Sequence, residues 1–131
     1  MPRFVLLRHE MPVSSLRPTH WDLMLERGGA LRTWALDAEP RGSCQLTATR
    51  LGDHRLEYLG YQGEVSGGRG VVERVDEGRY ETVSETDAAL QIRLCGQRLR
   101  GRATLSPSGE DQRWSFVFVA DADTAAGSSS S

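Results

Sequence analysis

His9, His20, Asp22 and Glu26 fall within the first 26 residues of a chain that has three histidines in all. The segment His20-Trp21-Asp22-Leu23-Met24-Leu25-Glu26 alternates in side-chain character. Successive side chains of a strand point to opposite faces, so His20, Asp22, Met24 and Glu26 share one face while Trp21, Leu23 and Leu25 share the other. The imidazole of His20 and the carboxylate of Asp22 then stand side by side, roughly 6–7 Å apart at Cα. His9 ends the preceding apolar run Phe4-Val5-Leu6-Leu7. If the two strands are neighbours, two imidazoles and a carboxylate converge, a set suited to a divalent transition metal with open coordination positions. The same His-x-Asp spacing also serves as a simple surface hydrogen bond, and spacing alone leaves both readings open.

The elements that position these residues read as short strands. Arg3 to His9 is apolar in its interior. Glu10 to Pro18, with two prolines and two serines, is a loop. A strand from about Thr19 to Arg27 turns at Gly28-Gly29 into a returning strand from Leu31 to Leu36. After a loop with Pro40 and Gly42, Cys44 to Leu51 alternates again. Gly52-Asp53 turns the chain into His54-Arg55-Leu56-Glu57-Tyr58, where His54 and Tyr58 share a face if the segment is extended. Gly60 to Gly70 holds five glycines. It lacks the Lys-Ser/Thr and following helix of a phosphate-binding P-loop, and reads as turns and bulges. Runs at Gly70 to Val75, Arg79 to Ser84, Ala89 to Cys95, Leu99 to Leu105 and Trp114 to Val119 complete the pattern, punctuated by Gly78, Asp87, Gly96 and Pro107. No window sustains a 3.6-residue apolar period. The expectation is an all-β fold, a compact closed or nearly closed β-barrel of about eight strands. It occupies residues 1–119, with a disordered tail over 120–131 where Ser, Ala, Asp, Thr and Gly take over.

At 131 residues the chain suits one domain with its own core. No stretch approaches the length of a membrane span, and no secretion signal opens it. Cys44 and Cys95 lie far apart without a Cys-x-x-Cys pairing, which fits free thiols and a cytoplasmic setting, although sequence does not exclude a disulfide. The net charge of −2 argues against a broad nucleic-acid surface. All sixteen basic residues are arginine, a bias that genome composition explains as readily as phosphate binding does.

In their order these motifs resemble the 3′-phosphoesterase domain found in bacterial DNA ligase D and as free-standing proteins. Arg8-His9 falls where that family has Lys-His, and His20 to Glu26 matches its His-Tyr-Asp strand. Gly29 to Leu36 matches its Gly-x-Leu-x-Ser-Trp-Ala-Val partner, and Asp53-His54-Arg55-Leu56-Glu57-Tyr58 matches Asp-His-Pro-x-x-Tyr. Tyr61 to Val65, Gly68 to Val71, Leu99-Arg100-Gly101 and Trp114 also fall at family positions. The resemblance implies a β-barrel holding a divalent ion, expected to be Mn2+, on His9, His20 and Asp22. It implies His54 and Tyr58 as catalytic contacts to the scissile phosphate. Its implied activity is removal of 3′-phosphates or 3′-ribonucleotides from DNA or RNA primer ends, in company with DNA repair or ligase proteins.

Three departures bear on that expectation. The family's arginine two residues after the aspartate is Met24 here, which cannot donate to a phosphate oxygen. Losing such a contact costs about 1.5–3 kcal/mol, or roughly tenfold to a hundredfold in rate where it acts in the transition state. The lysine expected shortly after the Trp-Ala pair is absent, with Ala38 or Glu39 near its place. The loop between His9 and His20 is longer than the family's. Arg8, Arg17 or Arg41 are candidates to replace the lost charge, and Glu26 to support a ligand from the same strand face. Two other readings stay open. One is a catalytically degenerate barrel that binds a nucleotide or nucleic-acid end without cutting it. The other is a cupin-like metalloenzyme, since His-x-Asp with a glutamate four residues on resembles the metal strand of cupins.

Overall fold

In the computed structural model, residues 1–121 are described. The elements are β1 (Arg3–Glu10), β2 (His20–Arg27), β3 (Ala30–Leu36), β4 (Cys44–His54), a 3₁₀ turn (Leu56–Leu59), β5 (Gly63–Glu64), β6 (Val71–Glu85), β7 (Leu90–Gly96), β8 (Arg100–Pro107) and β9 (Arg113–Ala120). All strand pairings are antiparallel, and the order β1-β2-β3-β4-β9-β8-β7-β6 returns to β1 through a β1–β6 pairing. Eight strands therefore close a barrel, and β5 adds a short flap on β6. The all-β barrel expected from the sequence is the fold observed.

Strands β7, β8 and β9 follow a period of two. Leu90, Ile92 and Leu94 face Ala103 and Leu105 and the stacked rings of Phe116 and Phe118 in the barrel interior, while the alternate positions are less buried. Phe4, Leu6, Leu23, Leu25, Trp34 and Leu36 complete this core from β1 to β3. The first three strands break the alternation because their outer face is covered too. Val5, Leu7, Met24 and Leu31 pack there with Leu59, Val65 and Val72, so the 3₁₀ turn and the β5 flap form a second layer. A strand buried on both faces reads as an uninterrupted apolar run, as in Phe4-Val5-Leu6-Leu7.

Several expectations from sequence need correction. The segment around Tyr58 is not extended: β4 ends at His54 and the chain winds into the 3₁₀ turn over the outer layer. The runs before and after Gly78 are one 15-residue strand, β6. Its first half pairs with β1 and its second with β7. Gly78 is no turn. A Cβ there would meet the Cys95 carbonyl oxygen at 2.2 Å, so it marks close packing of neighbouring strands. At the C-terminus Ala120 is a buried residue of β9 opposite Gly101, one position beyond the expected end of the barrel. The rest of the expected tail, 122–131, lies outside the described residues.

A candidate metal centre on the outer face of the barrel

The register of β1 on β2 sets His9 directly opposite His20 and Leu7 opposite Asp22. All three polar side chains belong to the face opposite the barrel core. Among the described residues they form the one group of three or more His, Cys, Asp or Glu able to share an ion, with ligand atoms within 4.8 Å of one another. His9 Nδ1 lies 3.5 Å from Asp22 Oδ2, and His20 Nε2 lies 3.4 Å from Asp22 Oδ1. The rings are 4.8 Å apart between centroids.

Hydrogen bonds at the far ring nitrogens determine what those inward atoms are. His20 Nδ1 donates to the Pro18 carbonyl at 3.0 Å, and His9 Nε2 donates to the Arg69 carbonyl at 2.6 Å. When the rings are neutral, with those nitrogens carrying the protons, His20 Nε2 and His9 Nδ1 present lone pairs to a carboxylate. His20 Nε2 and Asp22 Oδ1 are buried without a hydrogen-bond partner. Two ring nitrogens facing the two carboxylate oxygens at 3.4–3.5 Å are stabilised by a shared proton or a cation. An imidazole held by a backbone carbonyl through its second nitrogen is the usual support of a metal-binding histidine. The donor set thus fits a divalent ion with open positions.

Without an ion, the same closeness favours a proton on His9 and a charged carboxylate on Asp22. His9 is raised above the ordinary histidine value, chiefly by Asp22 and also by the Arg69 carbonyl, against burial and the nearby Arg17. Burial is the largest influence on Asp22 and pushes it upward, but the two imidazoles together outweigh it and hold the carboxyl below its usual value.

The triad opens into a cleft of about 1020 Å³ whose walls include Met11, Arg17, His54, Tyr58, Tyr61 and Arg69. A bulge between β3 and β4 brings His54 opposite Leu31 and turns the end of β4 toward this cleft. His54 Nδ1 donates to the Gly52 carbonyl at 2.9 Å, which leaves Nε2 as the second ring nitrogen. The 3₁₀ turn then carries Tyr58 back so that its ring meets His54 edge-on at 5.6 Å. His54 and Tyr58 are neighbours as expected, through a tight turn instead of a shared strand face.

Other expected residues fall differently. Arg17 lines the cleft, and its guanidinium has no ion pair or hydrogen bond among the described residues. Arg8 does not line it. One position from His9 on a strand, it points the other way and pairs with Glu10 at 2.8 Å. Arg41 pairs with Glu39 away from the cleft. Glu26 accepts the backbone N–H of Arg3 at 2.9 Å and is also absent from the cleft walls, which removes the feature behind the cupin-like reading. Met24 is packed in the outer apolar layer and brings no charge to the cleft wall it helps to form.

Sequence reasoning missed the backbone around Gly70. Gly70 has φ +96°, and a Cβ there would stand 2.2 Å from the Glu10 carbonyl oxygen. Only glycine lets the loop press against the end of β1 and deliver the Arg69 carbonyl to His9. The signal was present as the last of the clustered glycines, without anything in the sequence to say what it approaches.

The family described as the DNA Ligase D 3′-phosphoesterase domain matches residues 9–106. The chain belongs to the DNA ligase D 3′-phosphoesterase domain family. It is 32% identical over 85% of its length to the multifunctional non-homologous end joining protein LigD of Mycobacterium bovis, and 27% identical over 90% to that of Pseudomonas aeruginosa. It spans only 15–16% of those longer proteins. Membership in the ligase D phosphoesterase family supports a phosphoesterase-like role.

Proposed function

We propose that this chain is a divalent-metal-dependent phosphoesterase acting on the 3′ ends of DNA or RNA primers, removing a 3′-phosphate or a 3′-ribonucleotide. The observation that carries this reading is the convergence of two carbonyl-tethered imidazoles on a buried carboxylate, at the floor of a cleft that also holds His54, Tyr58 and Arg17. His9 Nδ1, His20 Nε2 and an Asp22 oxygen would hold the ion, with Mn2+ the candidate. When bound, it supplies Lewis-acid polarisation of a phosphoryl oxygen and a template for the attacking water or ribose hydroxyl.

The chain's own residues do the rest. Tyr58 donates its hydroxyl to a phosphate oxygen. Arg17 offers a guanidinium fork to another. His54 Nε2 takes the proton of the attacking hydroxyl and returns it to the departing oxygen, so one P–O bond forms, one breaks, and no net proton is left on the protein. Nucleic-acid ends are the proposed partners, and DNA repair or ligase proteins the proposed company, from the printed names of the relatives.

Met24 supports a second reading, in which the barrel binds such an end without turnover. One experiment separates the two. The protein with Mn2+ is offered a duplex whose primer ends in a 3′-phosphate or a single ribonucleotide, beside an Asp22→Ala control. Trimming that vanishes in the control supports the enzyme. End binding without trimming supports the binding barrel.

A further inference from the structure

The loop between β1 and β2 carries two aliphatic side chains wholly in water. Val13 and Leu16 are 106% and 103% exposed relative to an extended reference, unlike the other large apolar residues of the barrel, which are at most 62% exposed. They sit around a turn closed by the Ser15 N–H on the Pro12 carbonyl at 2.9 Å. The turn is tied at its root: the Met11 N–H donates to Thr19 Oγ1 at 3.1 Å, and His20 donates to the Pro18 carbonyl at 3.0 Å. Both ends of the loop therefore run straight into candidate metal ligands, His9 on one side and His20 on the other.

That attachment limits what the tip can touch. Val13 is four residues after His9 and Leu16 four before His20, so neither is further than about 14 Å along the chain from a ligand. Met11, Pro12 and Arg17 of the same loop line the cleft. Beside the apolar tip stands Arg17, a cation without an ionic partner among the described residues. An occupant that satisfies both must carry an anionic group at the cleft and an adjoining apolar face. A nucleotide has that form, with its phosphate at Arg17 and its base beyond. Leucine and other apolar side chains pack on base faces where a base step is opened in DNA, and a strand end presents such a face without unstacking.

We infer that Val13 and Leu16 form a cap that packs on the terminal base of the strand whose 3′ end enters the cleft, so that the loop recognises a nucleoside beside the phosphate. The inference rests on the proposed phosphoesterase reading for the position of that end. It adds a specificity element on the loop between β1 and β2.

The test is direct binding, independent of turnover. Fluorescent duplexes end in a 3′-phosphonate, whose carbon–phosphorus bond resists hydrolysis, and differ only in whether the terminal base is present or replaced by an abasic sugar. Wild type and a Val13→Ser/Leu16→Ser double variant are compared by anisotropy in the presence of Mn2+. The expected result is about tenfold weaker binding of the base-bearing end by the variant, with equal binding of the abasic end by both proteins. Equal affinity of the two proteins for the base-bearing end overturns the cap, as does a wild type that binds neither end. Phosphate release from an ordinary 3′-phosphate primer is followed separately. If the end is bound through the cap but no phosphate is released, the phosphoesterase reading fails while the cap stands.

Discussion

Asp22 is a carboxylate with an imidazole on each side, and each imidazole is turned inward by a backbone carbonyl behind it. Removing any one donor leaves the other two facing each other across a buried gap. His9→Ala, His20→Ala and Asp22→Ala should each weaken Mn2+ binding at least tenfold by calorimetric titration, the range seen even for groups one step removed from a metal. Gly70→Ala tests the scaffold behind His9. Forcing a Cβ onto φ +96° costs about 1–3 kcal/mol in backbone strain alone, before the 2.2 Å approach to Glu10 is relieved. The Arg69 carbonyl should then withdraw, lowering both thermal stability and Mn2+ affinity; unchanged affinity would show that His9 orients itself. These two layers were not equally legible in the sequence. His20 and Asp22 were readable because strand alternation is a local rule, and His9 because it ended the strand before. The Arg69 carbonyl lies sixty positions from His9, and nothing local in the chain announces a contact made by closure of the barrel.

The elements show the same division between local rule and long-range contact. Strict alternation made β7, β8 and β9 visible, and the glycine pair at 28–29 made the β2–β3 hairpin visible. Gly78 misled because glycine is needed both for turns and where backbones crowd, and here it is the second. Asp76 escaped notice for a related reason. Its carboxylate is 3% exposed and accepts the N–H groups of Glu77, Gln97, Arg98 and Leu99 at 2.7–3.2 Å, pinning the β7–β8 turn from the middle of β6. Asp76→Ala should cost roughly 3–5 kcal/mol in urea unfolding, since several backbone donors lose a charged acceptor at once. A loss below 1 kcal/mol would mean that water replaces the carboxylate. At the opposite end, Glu85 of β6 bridges Arg27 at 2.8 Å and Arg32 at 3.0 Å. Arg32 is the main reason its carboxyl lies below the usual glutamate value. A depressed folded value gives stability that is present above the unfolded value of 4.5 and lost as pH falls through the folded one. Glu85→Gln should therefore lower stability at pH 7 by at most about 1 kcal/mol, because the group is partly exposed, and the gap between variant and wild type should close as pH drops below 4.5.

On the scale of the molecule, the barrel serves as a wall and the candidate metal centre sits on its outer side. β1 and β2 are covered inside by the main core and outside by the 3₁₀ turn and flap, so the strands that carry the triad lie between two packed layers, with the triad at the edge of the outer one facing the cleft. The barrel and the clustering of His9, His20 and Asp22 were legible in the sequence, but not the side of the barrel wall on which they lie. The outer layer could not be foreseen: Val65 comes from the glycine-rich stretch that read as turns, Leu59 follows a segment that read as extended, and Val72 sits in a run that read as an ordinary strand. This placement leaves the cleft open to a polymer end in a way that a barrel lumen filled by Phe116, Phe118 and Trp34 is not. Among the described residues no helix is long and apolar enough to cross a membrane. The proposed chemistry requires one ion held by three residues. Electron paramagnetic resonance of Mn2+ titrated into the protein measures this directly. One bound ion per chain, displaced in His9→Ala, His20→Ala and Asp22→Ala alike, is the predicted result. An ion that survives all three substitutions, or none bound to the wild type, would contradict it.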